Sequence, residues 1–169
     1  MQKLGELTNA IADKKDGMLL NAMIRGIYAR MSSMLLSTGG LAIKAGGGVL
    51  VKAGTLCKAV VNGVLVSIAA NTDSAALVGT VVNATFNIFV IFVDQAGTLT
   101  TTMGQAGATL GAVRFPPIPE KKAMVGFVII NPTGTGDFVG GTIALDDATV
   151  VPNAVYVNTV GSFDPTALI

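Results

Sequence analysis

The run Phe86-Asn87-Ile88-Phe89-Val90-Ile91-Phe92-Val93 constrains this chain more than any other feature. After Asn87 it is apolar at every position, and Asp94 ends it. β-Branched and aromatic residues dominate, which favours a strand. The run is also far shorter than the roughly 20 apolar residues of a membrane-spanning helix. A strand apolar on both faces has to be covered twice. A second sheet of the same domain supplies one cover. The N-terminal helices or a neighbouring protomer are the expected source of the other. Left bare, such a strand is an aggregation site.

From Leu41 onward the chain keeps to this β grammar. Turn signals recur every eight to twelve residues, among them Gly46-Gly47-Gly48, Asn62-Gly63, Asp94-Gln95-Ala96-Gly97, Pro116-Pro117, Asn131-Pro132 and Asp146-Asp147. Short β-rich runs fill the gaps: 48–52, 58–61, 64–69, 77–83, 86–93, 98–102, 124–131, 142–145 and 154–157. That rhythm predicts a mainly β domain, an antiparallel β-sandwich or barrel, over residues 39–169. Val60-Val61-Asn62-Gly63-Val64-Leu65 is the strongest hairpin signal, because Asn-Gly suits a type I′ turn.

Residues 1–38 read differently, as an N-terminal helical segment. Leu4, Leu7, Ile11 and Met18 recur at helical spacing, and Leu20, Ile24, Ile27 and Met31 continue it. Asp16-Gly17 is expected to divide the segment into helices over about 2–15 and 18–36, with Lys14 and Lys15 in the last turn of the first. Lys3, Lys14, Lys15, Arg25 and Arg30 border the apolar stripe. An apolar stripe with a basic rim suits attachment to an acidic protein surface, or the core of a homo-oligomer. Leu4, Leu7, Ile11, Lys14, Lys15, Leu20, Ile24, Arg25, Ile27, Arg30 and Met31 are therefore the partner-interface candidates.

Charge supports an associating protein. Only 12% of the 169 residues are charged, against about 25% in an average soluble domain. Residues 1–58 carry eight basic and three acidic side chains, and residues 59–169 carry three basic and seven acidic. The two parts thus have opposite net charge, as expected if they face different surroundings. The N-terminus lacks the apolar stretch of a signal peptide, and no segment suits a membrane helix.

Catalytic classes are hard to build from this inventory. There is no His, so imidazole bases and His-ligated metals are excluded. Cys57 is the only cysteine, which rules out an intrachain disulfide, and no His is present to activate its thiol. Gly46-Gly47-Gly48 and Gly134-Thr135-Gly136 lack the Gly-Lys-Ser/Thr ending of a phosphate loop and read as turns. Asp146-Asp147 lacks calcium-loop spacing, and short acids suit turns. Lys44, Lys52 and Lys58 are too sparse, without interleaved aromatics, to mark a nucleic-acid surface. No enzyme, metal, cofactor, nucleic acid or membrane is expected.

Four stretches carry a resemblance: Phe92-Val93-Asp94-Gln95-Ala96-Gly97-Thr98-Leu99-Thr100, Arg114-Phe115-Pro116-Pro117-Ile118-Pro119, Val125-Gly126-Phe127-Val128-Ile129-Ile130-Asn131, and Asp137-Phe138-Val139-Gly140-Gly141-Thr142-Ile143-Ala144-Leu145. In order and spacing they resemble a segment of structural proteins of tailed bacteriophages, notably head decoration (cement) and fibre-like proteins. The resemblance spans roughly residues 86–147 and includes no catalytic signature. It implies a virion protein on the capsid exterior, assembled in the host cytoplasm, with the major capsid protein or another virion protein as partner. Such proteins commonly sit as homotrimers on shell symmetry axes. The alternative within the same resemblance is a fibre or spike component whose β domain binds a host receptor or glycan.

Overall fold

A computed structural model describes residues 14–161. It contains one long helix, α1 (Lys14–Met31), and twelve strands, every pair of which is antiparallel. The strands are β1 (Met34–Leu35), β2 (Leu41–Ile43), β3 (Val51–Ala53), β4 (Cys57–Val61), β5 (Val64–Ile68), β6 (Thr72–Asp73), β7 (Thr80–Val81), β8 (Asn87–Val93), β9 (Leu99–Met103), β10 (Ala123–Ile130), β11 (Phe138–Val139) and β12 (Val155–Asn158). The expected mainly β, antiparallel class holds. The sheets stay separate, in the orders β12-β10-β8-β9, β1-β4-β5, β2-β3-β6 and β11-β7, and do not close into a barrel.

The four-stranded sheet is central because β8 is buried at all seven positions. Phe89, Ile91 and Val93 look into the main core. There they join Val125, Val128 and Ile130 of β10, Leu35 of β1, Val51 of β3, Val61 of β4 and Phe138 of β11. The Phe89 and Phe138 rings meet edge to face, 6.0 Å between centroids. Ile88, Val90 and Phe92 look the other way, into a second cluster with Val113, Met124 and Phe127.

The cover of that second face corrects an expectation. Among the described residues it comes from the chain between β9 and β10, so burial of β8 needs no neighbouring protomer, and most of the first expected helix, 2–15, lies outside the described residues. Gly107 pairs with Phe86 and Gln105 with Arg114. A single 3-10 turn, Leu110–Ala112, follows. Val113, Phe115 and Ile118 then pack onto the sheet, with Phe115 edge to face on Phe127 at 5.0 Å. A two-faced strand is therefore not a reason, in this fold, to require oligomerisation.

Strand β10 serves both clusters through a bulge. Met124 is opposite Phe92 and Gly126 opposite Ile91, so Val125 is the extra residue. Ala123 and Val125 face the main core before the bulge, and Val128 and Ile130 face it afterwards. Odd positions give way to even ones within one strand. Gly126 has φ +157, and a Cβ there would run into the Val157 carbonyl and lie 2.6 Å from Leu41 Cδ1.

Two further expectations change. The break at Asp16-Gly17 is absent, because α1 runs through Gly17 and Gly26. One helical Gly costs about 1 kcal/mol, whereas splitting the helix forfeits several hydrogen bonds and a second nucleation. At its other end α1 stops at Met31 instead of about 36, because Met34 and Leu35 are held in register by β4. Leu35 is fully buried, so the β-rich part begins at Met34 rather than at residue 39. The strand expected over 142–145 is a series of turns, and in its place the short β11 pairs with β7.

Candidate interaction surface

Helix α1 leaves its described large apolar side chains exposed. Leu20, Ile24 and Ile27 are 48%, 41% and 54% exposed, and Met18, Leu19 and Met23 are exposed as well. At about 100° per residue, Leu19, Leu20, Met23, Ile24 and Ile27 fall within an arc of roughly 140°. Scattered single apolar residues on a surface are ordinary, but five on one helix face form an exposed apolar stripe that is a candidate for docking.

The expected candidates divide as follows. Leu20, Ile24 and Ile27 are brought together on this exposed face. Lys14, Lys15, Arg25, Arg30 and Met31 belong to the same helix by backbone. Leu4, Leu7 and Ile11 lie outside the described residues. Leu19 and Met23 were missed, since each directly precedes a residue of the stripe Leu20, Ile24, Ile27 and a strict i, i+3/i+4 spacing passes over them.

The C-terminal end of α1 is clasped to the β4–β5 hairpin. The Gly63 N–H donates to the Ser32 carbonyl at 2.9 Å, and the Asn62 N–H donates to Ser33 Oγ at 2.9 Å. Asn62 and Gly63 both have positive φ, +50 and +79, as the type I′ turn requires. Next along the chain, the Leu36 N–H donates to the Lys58 carbonyl at 2.8 Å and the Lys58 N–H to Ser37 Oγ at 3.0 Å. The same hairpin exposes Val64 and Leu65, at 48% and 61%. Nothing in the sequence distinguishes these two from the buried Val66 and Ile68.

Polar residues elsewhere have structural employment. Asp94 Oδ1 accepts the N–H groups of Ala96 and Thr98, and Asp147 Oδ1 those of Thr149 and Val150. Asp137 Oδ1 accepts the Asn83 N–H at 2.8 Å, and Asp146 Oδ1 accepts the Gly48 N–H at 3.3 Å. Among the described residues no three His, Cys, Asp or Glu lie together. Lys44 pairs with Asp73 at 3.2 Å, and Lys52 Nζ donates to Asn71 Oδ1 at 2.8 Å. Cys57 is fully buried, and burial pushes its thiol above the usual range. Burial first, and the Asp146 carboxylate second, push the Tyr156 hydroxyl up to about 12.

No family model, curated protein or solved structure matches this chain.

Proposed function

We propose that this protein is a non-enzymatic structural component of a tailed-phage particle, a capsid decoration (cement) protein that fastens neighbouring shell subunits through protein–protein contacts. The observation that carries the reading is the exposed apolar face of α1 beside a β-rich part whose two cores, among the described residues, include no side chain of α1. A domain complete in itself, joined to an uncovered apolar arm, has the form of an attachment device. Residues 1–33 carry five basic and three acidic side chains, so the arm is net basic and suited to approach an acidic shell, with the nearly neutral β-rich part facing outward. The sequence resemblance over residues 86–147 supports the choice of a phage particle.

Magnitude argues for several arms acting together. Covering five half-exposed apolar side chains yields on the order of 5 kcal/mol. Association itself costs about 4–15 kcal/mol. One arm therefore binds weakly, and a homotrimer presenting three arms to a shell gains by effective concentration. The test is co-sedimentation of the full chain with phage heads, using wild type and the triple variant Leu20→Ser, Ile24→Ser, Ile27→Ser. Wild type is expected to pellet with heads and the variant to stay in solution while melting at the same temperature. Equal binding of the two removes the arm from the attachment site.

A further inference from the structure

The β4–β5 hairpin leaves one strand edge open. Its two-residue loop makes Val61 and Val64 a hydrogen-bonded pair, and the alternation continues through Ala59 with Val66 and Cys57 with Ile68. The backbone groups of Lys58 and Val60 accordingly face β1, where the Lys58 carbonyl accepts the Leu36 N–H. Leu65 and Ser67 turn their N–H and C=O groups away from β4, and no described residue hydrogen-bonds to them, although Gly97 lies beside the Ser67 carbonyl. The edges of β9 and β1 are occupied. Along β9 the Ala75 N–H donates to the Leu99 carbonyl at 2.9 Å and Thr101 Oγ1 to the Ala76 carbonyl at 2.8 Å. Along β1 the Gly161 N–H donates to the Leu35 carbonyl at 2.7 Å. β5 reads Val-Leu-Val-Ser-Ile and lacks the charge or proline with which soluble proteins guard an open edge.

We infer that β5 pairs antiparallel with β5 of a second copy of this chain, about a two-fold axis at Val66. In that register Leu65 lies opposite Ser67 of the partner subunit, and each such pair exchanges two N–H···O bonds. Every outward group of Leu65 and Ser67 is then satisfied on both chains. A free window of only two residues, centred on one, selects a partner with the same window, and β5 itself is that partner. Charge permits the approach. β5 carries none, and the nearest cations, Lys58 of each copy, lie three strand spacings apart, about 14 Å. That exceeds the screening length of roughly 8–10 Å at physiological salt. The exposed Leu65 and Val64 gain cover as two three-stranded sheets become one of six. This contact is independent of the arm and goes beyond the attachment reading.

The test is amide hydrogen exchange on the full chain at low and high protein concentration, with sedimentation of wild type and Leu65→Lys. Leu65 is exposed, so the variant keeps its fold while placing like charges across the axis. The expected result is exchange at Leu65 and Ser67 slowed at least about tenfold at high concentration, where pairing protects both amides together. Leu65→Lys is expected to abolish that protection and halve the sedimenting mass. Free exchange at both amides at every concentration overturns the proposal. So does an unchanged mass in Leu65→Lys. Association that survives Leu65→Lys but is lost in the arm variant runs through α1, which also overturns this contact and leaves shell attachment to its own assay.

Discussion

Strand β8 and helix α1 carry comparable apolar side chains and end in opposite surroundings. β8 is buried at all seven positions by its own chain, partly by a segment without regular strands. On α1, Leu20, Ile24 and Ile27 remain half exposed with no described element laid over them. Apolar content alone did not separate the two. What separates them is whether the chain also supplies a cover, as 104–118 does for β8 and nothing described does for α1. The first is a folding core, and the second is apolar surface that no described part of the chain covers.

The comparison breaks most visibly in the core. Phe89→Ala removes a fully buried ring that meets Phe138 and is expected to cost about 3–5 kcal/mol in a denaturant titration. A loss below about 1 kcal/mol would mean that β8 is not where the fold is held. Gly126→Ala sets a methyl group against the Val157 carbonyl at the bulge, and about 2 kcal/mol is expected from the same measurement. Alkaline pH gives a smaller difference. The folded chain keeps the Tyr156 proton that the unfolded chain releases near its ordinary 10.0, so stability is full below pH 10 and falls toward pH 12. Tyr156→Phe should reduce that fall in melting temperature, by less than about 1 kcal/mol since the ring is only half-buried. The smallest effect is expected on the arm. Ile24→Ser combined with Ile27→Ser should change unfolding of the β-rich part by no more than about 0.5 kcal/mol. A larger loss would show that α1 belongs to the folding core after all.

Much of the fold was legible because it follows local rules. Asn62-Gly63 marked the hairpin by the positive φ that only such residues readily adopt, and the apolar run ending at Asp94 marked β8. Elements fixed by tertiary pairing were not legible. β1, β2, β6, β7 and β11 are two or three residues long, and their identity rests on a partner strand rather than on any pattern of their own. The cover over β8 was hidden for the same reason, since Val113, Phe115 and Ile118 alternate with prolines and follow no period. At the interaction surface, Leu20, Ile24 and Ile27 showed in the helical spacing. Leu19 and Met23 did not, because each sits one position before a stripe residue and falls outside a strict i, i+3/i+4 series. Val64 and Leu65 differ from buried neighbours only in where the hairpin ends.

The clasp between Ser32-Ser33 and Asn62-Gly63 also has a mechanical consequence. Tension applied along α1 passes first through Ser32 and Ser33 into the hairpin tip, then through Met34 and Leu35 into β4. β4 is the middle strand of its sheet, so the load spreads to both neighbours instead of peeling an outer strand. The joint is short, only two residues of ladder, and the hydroxyls of Ser33 and Ser37 lengthen it on either side. Under pull these bonds share the force in shear, with the buried Leu35 as the pin. The joint is therefore expected to give way before either core does, parting α1 from a β-rich part that is still folded.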